Sequence, residues 1–231
     1  MTAIRTCPVK GYNRRVLLEF DGIVFRNAAV SRQIAQRSKE WVNQCMHYMN
    51  PPITPRSHVA YKNFDYVINF MINQHDLKEL RPFYEYVYDG LEDTDKLITF
   101  QDAQHIQDLL VIRDARDLEF VLCSNAPQAY CERILSAQGL HFTDFFNSAM
   151  VFTPNTVDAM KPSKEFYDKI EEYLPDELSI HHLDDDPYTV WSTESRETPT
   201  IWASHSLASY KQVVEHLISF PIRQTDNDCK A

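Results

Sequence analysis

The sequence predicts an α/β fold, a Rossmann-like parallel sheet with helices on both faces plus an inserted all-helical cap. Three observations predict it. Short apolar runs at 16–18, 118–123, 178–186 and 198–204 lack the strict alternation of a half-exposed strand, so they read as strands covered on both sides. From residue 118 onward these runs alternate with helix-periodic stretches, the pattern of a parallel sheet built from strand–helix units. Between Arg26 and Asp117 no convincing strand is found, and that block of about ninety residues reads as helical. The expected division is a core of residues 1–25 and 116–231 and a cap of residues 26–115.

The elements follow in order. RRVLLEFDGIVF (14–25) is a strand whose apolar run ends in two carboxylates one residue apart, Glu19 and Asp21, followed by Gly22. Residues 28–49 carry Val30, Ile34, Trp41, Cys45 and Met49 at helical spacing, and the adjacent prolines at 51 and 52 stop that helix. Further helices are expected over 58–74, 76–89 and 101–114. LEFVLC (118–123) is the next strand, and a helix opened by Pro127 and closed by Gly139 follows it. SAMVF (148–152) is a weaker strand, and PSKEFYDKIEEYL an amphipathic helix. LSIHHLDDD (178–186) runs into three acids, TPTIWAS (198–204) is the last strand, and residues 206–220 form a closing helix before a loose tail.

Composition narrows the function. The chain has 231 residues, 44% hydrophobic and 24% charged, in the ordinary globular range. A formal net charge of -10 with no basic cluster argues against a nucleic-acid surface. Five scattered cysteines without a CxxC pair read as reduced thiols in an intracellular protein. The first residues lack the apolar core of a signal peptide and no run reaches a membrane span, so no membrane association and a cytoplasmic location are expected. Only four glycines occur, which excludes a glycine-rich phosphate loop.

Ligands of open parallel sheets bind beyond the carboxyl ends of the strands. That rule selects Glu19 and Asp21, Ser124 and Asn125, and Asp184 to Asp186. Acids from two strands at one rim form an all-oxygen site that suits Mg²⁺. A hydroxyl and an amide ahead of a helix N-terminus can hold phosphate oxygens, and Lys161, before Pro162 and a helix, adds a cation. The set describes phosphoryl transfer on a small phosphorylated substrate, where positioning and charge neutralisation supply most of the catalysis.

The order LLEFDGIVF, VLCSNA, MKPSKEFYDKI, HHLDDDPYTV resembles the four motifs of the haloacid dehalogenase (HAD) superfamily, in its phosphatase branch with a helical cap after the first motif. The resemblance covers roughly residues 14–204. It implies that Glu19 stands at the nucleophile position and Asp21 at the acid/base position. Ser124, Asn125 and Lys161 would hold phosphate, and Asp185, with Asp184 beside it, would bind Mg²⁺ together with Glu19 and the Asp21 carbonyl. Gly22 fixes that register. The departure is Glu19, where the family carries Asp: one more methylene moves the carboxylate by about 1 to 1.5 Å. A misplacement of about 1 Å can cost on the order of 10²-fold in rate. The expectation is a Mg²⁺-dependent phosphohydrolase, slow because of Glu19, with a catalytically inactive domain serving as a binding or regulatory protein as the alternative.

Other conspicuous residues have plainer readings. His181 and His182 alternate faces on a strand and read as core histidines rather than ligands. FYEYVY (83–88) reads as a packing stripe of the cap. Cys123 has no base nearby in sequence and is not offered as a nucleophile.

Overall fold

Five strands form one sheet in the order β3-β2-β1-β4-β5, every neighbouring pair parallel. They are β1 Arg14–Leu18, β2 Leu118–Cys123, β3 Val151–Phe152, β4 Ser179–Asp184 and β5 Ile201–Ser206. The structure, a computed structural model, describes residues 14–46, 83, 85–174, 179–196, 198 and 200–221. The helix expected over 58–74, the first part of that over 76–89 and the tail after Pro221 lie outside the described residues.

The longer helices are α1 Ala28–Met46, α2 Phe100–Arg116, α3 Gln128–Ser136, α4 Lys164–Tyr173, α5 Pro187–Glu194 and α6 Tyr210–Ser219. Their starts are written in the sequence. Asn27 Oδ1 accepts from the backbone N–H groups of Ala29 and Val30 and caps α1. Thr99 and Asp102 form a reciprocal capping box at the head of α2. Ser163, Asp186 and Ser209 cap α4, α5 and α6 with a single side-chain bond each, with Pro187 at the first turn of α5.

Because side chains alternate across a strand, the two faces of the sheet draw on different residues. Val16, Leu18, Phe120 and Leu122 pack with Ile106 and Leu109 of α2, Ile134 of α3 and Val213 and Leu217 of α6. Leu17, Val121, Cys123 and Ile180 pack with Phe166, Tyr167 and Ile170 of α4 and with Trp202. Both layers are dry, so the strands read as continuous apolar runs rather than alternating ones.

Two strands and one helix depart most from the sequence reading, and β4 and α6 are shorter than the spans 178–186 and 206–220. β3 is two residues rather than five. β5 begins at Ile201 and runs through the polar Ser204-His205-Ser206, because backbone pairing to β4 carries it there, with His182 opposite Ser204 and Asp184 opposite Ser206. α5 is an element the apolar periodicity of PYTVWSTE did not announce.

Among the described residues between Arg26 and Asp117 no strand occurs. A π-helical turn, Glu85–Asp89, and a single turn, Thr94–Leu97, precede α2. α2 lies within the span expected for the cap, yet it packs against β2 and α6 and forms part of the layer that covers the sheet. The described residues contain no helix long and apolar enough to cross a membrane.

Candidate active site

The rim at the carboxyl ends of β1, β2 and β4 gathers the residues that the sequence singled out. Glu19 follows β1 directly, and its backbone N–H donates to the Leu183 carbonyl of β4 at 2.9 Å. Residues 20–25 then make a tight turn in which Val24 and Phe25 N–H groups return to the Phe20 carbonyl and Gly22 N–H donates to Phe25. Gly22 adopts φ +97°, and a Cβ there would run into the Asp185 carboxylate. The motif needs glycine for both reasons: a left-handed backbone and the close approach of the β4 rim.

Lys161 is the centre of the site. Its Nζ contacts Glu19 Oε2 and lies 2.5 Å from Asp184 Oδ2, with all three side chains buried. Ser124 Oγ donates to Glu19 Oε1, which also accepts from Phe20 N–H at 3.0 Å. Asn125 is the bracket that holds Lys161: its Oδ1 accepts from Lys161 N–H at 2.9 Å and its Nδ2 donates to the Lys161 carbonyl at 3.0 Å. Ser124 and Asn125 therefore do not cap α3, whose first turn follows Pro127 with no side-chain cap. Asp184 Oδ1 accepts from Asp186 N–H at 2.8 Å, so both of its oxygens are engaged, and Asp185 lines the cleft beside it.

One buried ammonium cannot balance two buried carboxylates. Burial works against the charge of Lys161, but Asp184 and Glu19 outweigh it and hold the amine well above its ordinary pKa. Burial also opposes ionisation of Asp184, yet Lys161 and His182 drive it well below the carboxylate range. Glu19 is the one that ionises less readily: burial, outweighing the pull of Lys161 and reinforced by the Asp184 charge, pushes it up to about 8. Asp185 is pushed up to about 6 by burial and by Asp184.

Asp21 lies on the turn, and its Oδ1 accepts a hydrogen bond from Tyr130 OH of α3 at 2.8 Å. Tyr130 also packs its ring against Tyr88, 5.1 Å away in the π-helical turn. Arg26 closes the turn from outside, donating to the carbonyls of Gly22, Leu207 and Ala208 and standing 3.9 Å from Asp185. Tyr130, Tyr88 and Arg26 were not identified from the sequence. Tyr88 belongs to the stripe read as packing, and it both packs and lines the cleft.

His182 is fully buried between Trp202 and Asp184, its Nε2 3.5 Å from Asp184 Oδ2, while His181 packs on Phe220. His182 is a core histidine, and His181 is half-buried. Cys123 and Cys131 are free and buried, and burial pushes the Cys123 thiol up, so neither offers a thiolate.

Among the described residues no three His, Cys, Asp or Glu side chains are already arranged as a metal cage. The donor set nonetheless suits a hard cation. It is all oxygen, with the Glu19, Asp21 and Asp185 carboxyl groups lining one cleft.

No known family profile and no curated protein matches the chain. Solved structures do. YfnB of Bacillus subtilis, described as a HAD-hydrolase and bound to magnesium, matches at 14% identity and TM-score 0.47 over 88% of this chain and 98% of that one. L-2-haloacid dehalogenase of Xanthobacter autotrophicus, with chloropropionic acid covalently bound, matches at 16% identity and TM-score 0.46, covering 91% of this chain and 84% of its own. A predicted phosphatase from Clostridium acetobutylicum matches at 12% identity and TM-score 0.45 over 94% and 95%.

Proposed function

We propose that the chain is a HAD-type phosphohydrolase that acts, with Mg²⁺, on a small phosphorylated metabolite. The observation that carries this reading is the meeting of four segments at Lys161, whose ammonium touches Glu19 and Asp184 while Ser124 donates to the same Glu19. Glu19, the Asp21 carbonyl and Asp185, with Asp184 adjoining, would hold the ion, which when bound neutralises phosphate charge and orients the ester. Glu19 attacks phosphorus. Asp21, steadied by Tyr130, gives a proton to the departing alkoxide and later takes one from the hydrolytic water. Lys161 and Ser124 hold the phosphoryl oxygens, and Asn125 keeps Lys161 in place. The helical segment after Arg26, as a cap, closes over the cleft and limits water. The scattered cysteines, of which Cys123 and Cys131 are free, support a cytoplasmic setting.

Two features slow the chemistry. Glu19 is one methylene too long for the position, and burial makes its carboxyl harder to ionise. A second reading follows from a specific contact: Glu19 already takes Ser124 and Lys161, the groups assigned to phosphate, as it would in a domain retained for binding rather than turnover. Hydrolysis of an aryl phosphate with Mg²⁺, for the native protein and for Glu19→Asp, separates the two. Slow turnover that rises about 10²-fold in Glu19→Asp supports the enzyme. Turnover only in Glu19→Asp assigns the native chain to the second reading, and silence in both refutes the phosphohydrolase.

A further inference from the structure

We propose that the alcohol part of the substrate is small, uncharged and mainly apolar; this rests on the phosphohydrolase reading and specifies the ester it accepts. The cleft has a volume of about 370 Å³, at the small end for ligand sites. Its floor is the carboxylate and Lys161 rim. Beyond the floor, its described wall is Ser31, Ile34 and Ala35 from α1, faced by Tyr88. Tyr88 is held rigidly: its ring lies against Tyr130 and its carbonyl accepts from Arg133 Nη2 at 2.9 Å. A tyrosine ring packed in place opposite an isoleucine and an alanine is a slot for hydrocarbon, already organised before a ligand arrives.

Charge points the same way. Five carboxyl groups line the cleft, at Glu19, Asp21, Asp184, Asp185 and Asp186, against two cations. Lys161 is engaged by Glu19 and Asp184, and the Arg26 guanidinium by three backbone carbonyls. A second phosphate or a carboxylate on the substrate would therefore meet acids and, among the described residues, no uncommitted cation. A polyhydroxylated alcohol fares little better: each buried hydroxyl needs a partner, and beside Ser31 the lining offers Asn125, already bound to Lys161, and Thr189, which donates to Asp186.

Non-hydrolysable phosphonates test this by calorimetry with Mg²⁺, on native protein and on Glu19→Asp. Phenylphosphonate binds at least about tenfold more tightly than methylphosphonate, a ratio that needs only about 60 Å² of newly buried apolar surface. Propylphosphonate binds more tightly than 2-carboxyethylphosphonate. Tyr88→Ala erases the phenyl preference. Ala35→Lys, a change on the exposed side of α1 that a helix tolerates, raises affinity for 2-carboxyethylphosphonate without requiring the buried Tyr88 to be disturbed. Equal affinity for phenyl and methyl compounds, or a native preference for the carboxylate compound, overturns the inference and leaves the phosphate site standing. Binding of no phosphonate by either protein overturns the phosphate-site reading, and the inference with it.

Discussion

Lys161→Met is the most informative single perturbation of this protein. The Lys161 side chain is 2% exposed, and its partners Glu19 and Asp184 are 9% and 2% exposed, so removal of the ammonium strands carboxylates that water cannot reach. Breaking a buried ion pair in this way costs about 3–5 kcal/mol, whereas an exposed pair is worth about 0–1 kcal/mol. For a domain of this size each 1 kcal/mol moves the melting temperature by about 2–4 °C, so a fall of roughly 6–20 °C is expected. Urea unfolding followed by far-ultraviolet circular dichroism gives the free energy directly. Lys161→Met/Asp184→Asn should recover much of the loss, because Asp184 is the partner that carries the negative charge. Glu19→Gln alone should cost less than Asp184→Asn alone, since a neutral amide mimics the protonated carboxyl. A loss below about 1 kcal/mol for Lys161→Met, or a double variant no more stable than the single one, would mean that the site is solvated and the charge assignment wrong.

Three further outcomes are expected. Gly22→Ala loses at least about 1–2 kcal/mol in urea unfolding, because φ +97° strains any L-residue and the new methyl meets Asp185; full retention of stability refutes the turn geometry. Burial opposes ionisation of Asp102, but hydrogen bonds from Tyr210, Thr99 and Asn27 outweigh it and lower its pKa. Its contribution is therefore present above the unfolded value of about 3.9 and is lost as pH falls through the lower folded value, so Asp102→Asn should flatten the acid limb of a stability profile. His216 is held down to about 4 by burial and by repulsion from His205 and His181, so its neutral form belongs to the fold. Stability is accordingly lost as pH falls from about 6.5 towards the folded value, and His216→Leu should remove that step; an unchanged step assigns it to other groups.

How much of this was legible differs by element. LEFVLC was read residue for residue because a strand buried on both faces is a mostly apolar run, here interrupted only by Glu119 and flanked by Asp117 and Ser124. β5 was displaced because its last residues, Ser204 to Ser206, are polar and owe their conformation to β4, a partner that no local pattern reveals. α5 had a start signal in Asp186-Pro187 but a threonine-rich body whose buried Thr189 and Thr193 do not register as apolar; Thr193 Oγ1 instead donates to Ser204. At the site, the strand-end rule brought Glu19, Ser124 and Asp184 together, since a parallel sheet aligns those ends by construction. Tyr130 was invisible, as its bond to Asp21 spans 109 residues and a helix tyrosine carries no mark of such a partner.

Asn27 does more than begin α1. Its Nδ2 donates to the Leu97 carbonyl at 2.7 Å and to Asp102 Oδ2 at 2.9 Å, so the polypeptide departs from the rim and comes back to it at one knot. Whatever is strung between those two points can lengthen, shorten or be traded for another loop while the strand ends beneath stay put. Selection could thus revise the roof of such a protein many times over without reopening the question of its foundations.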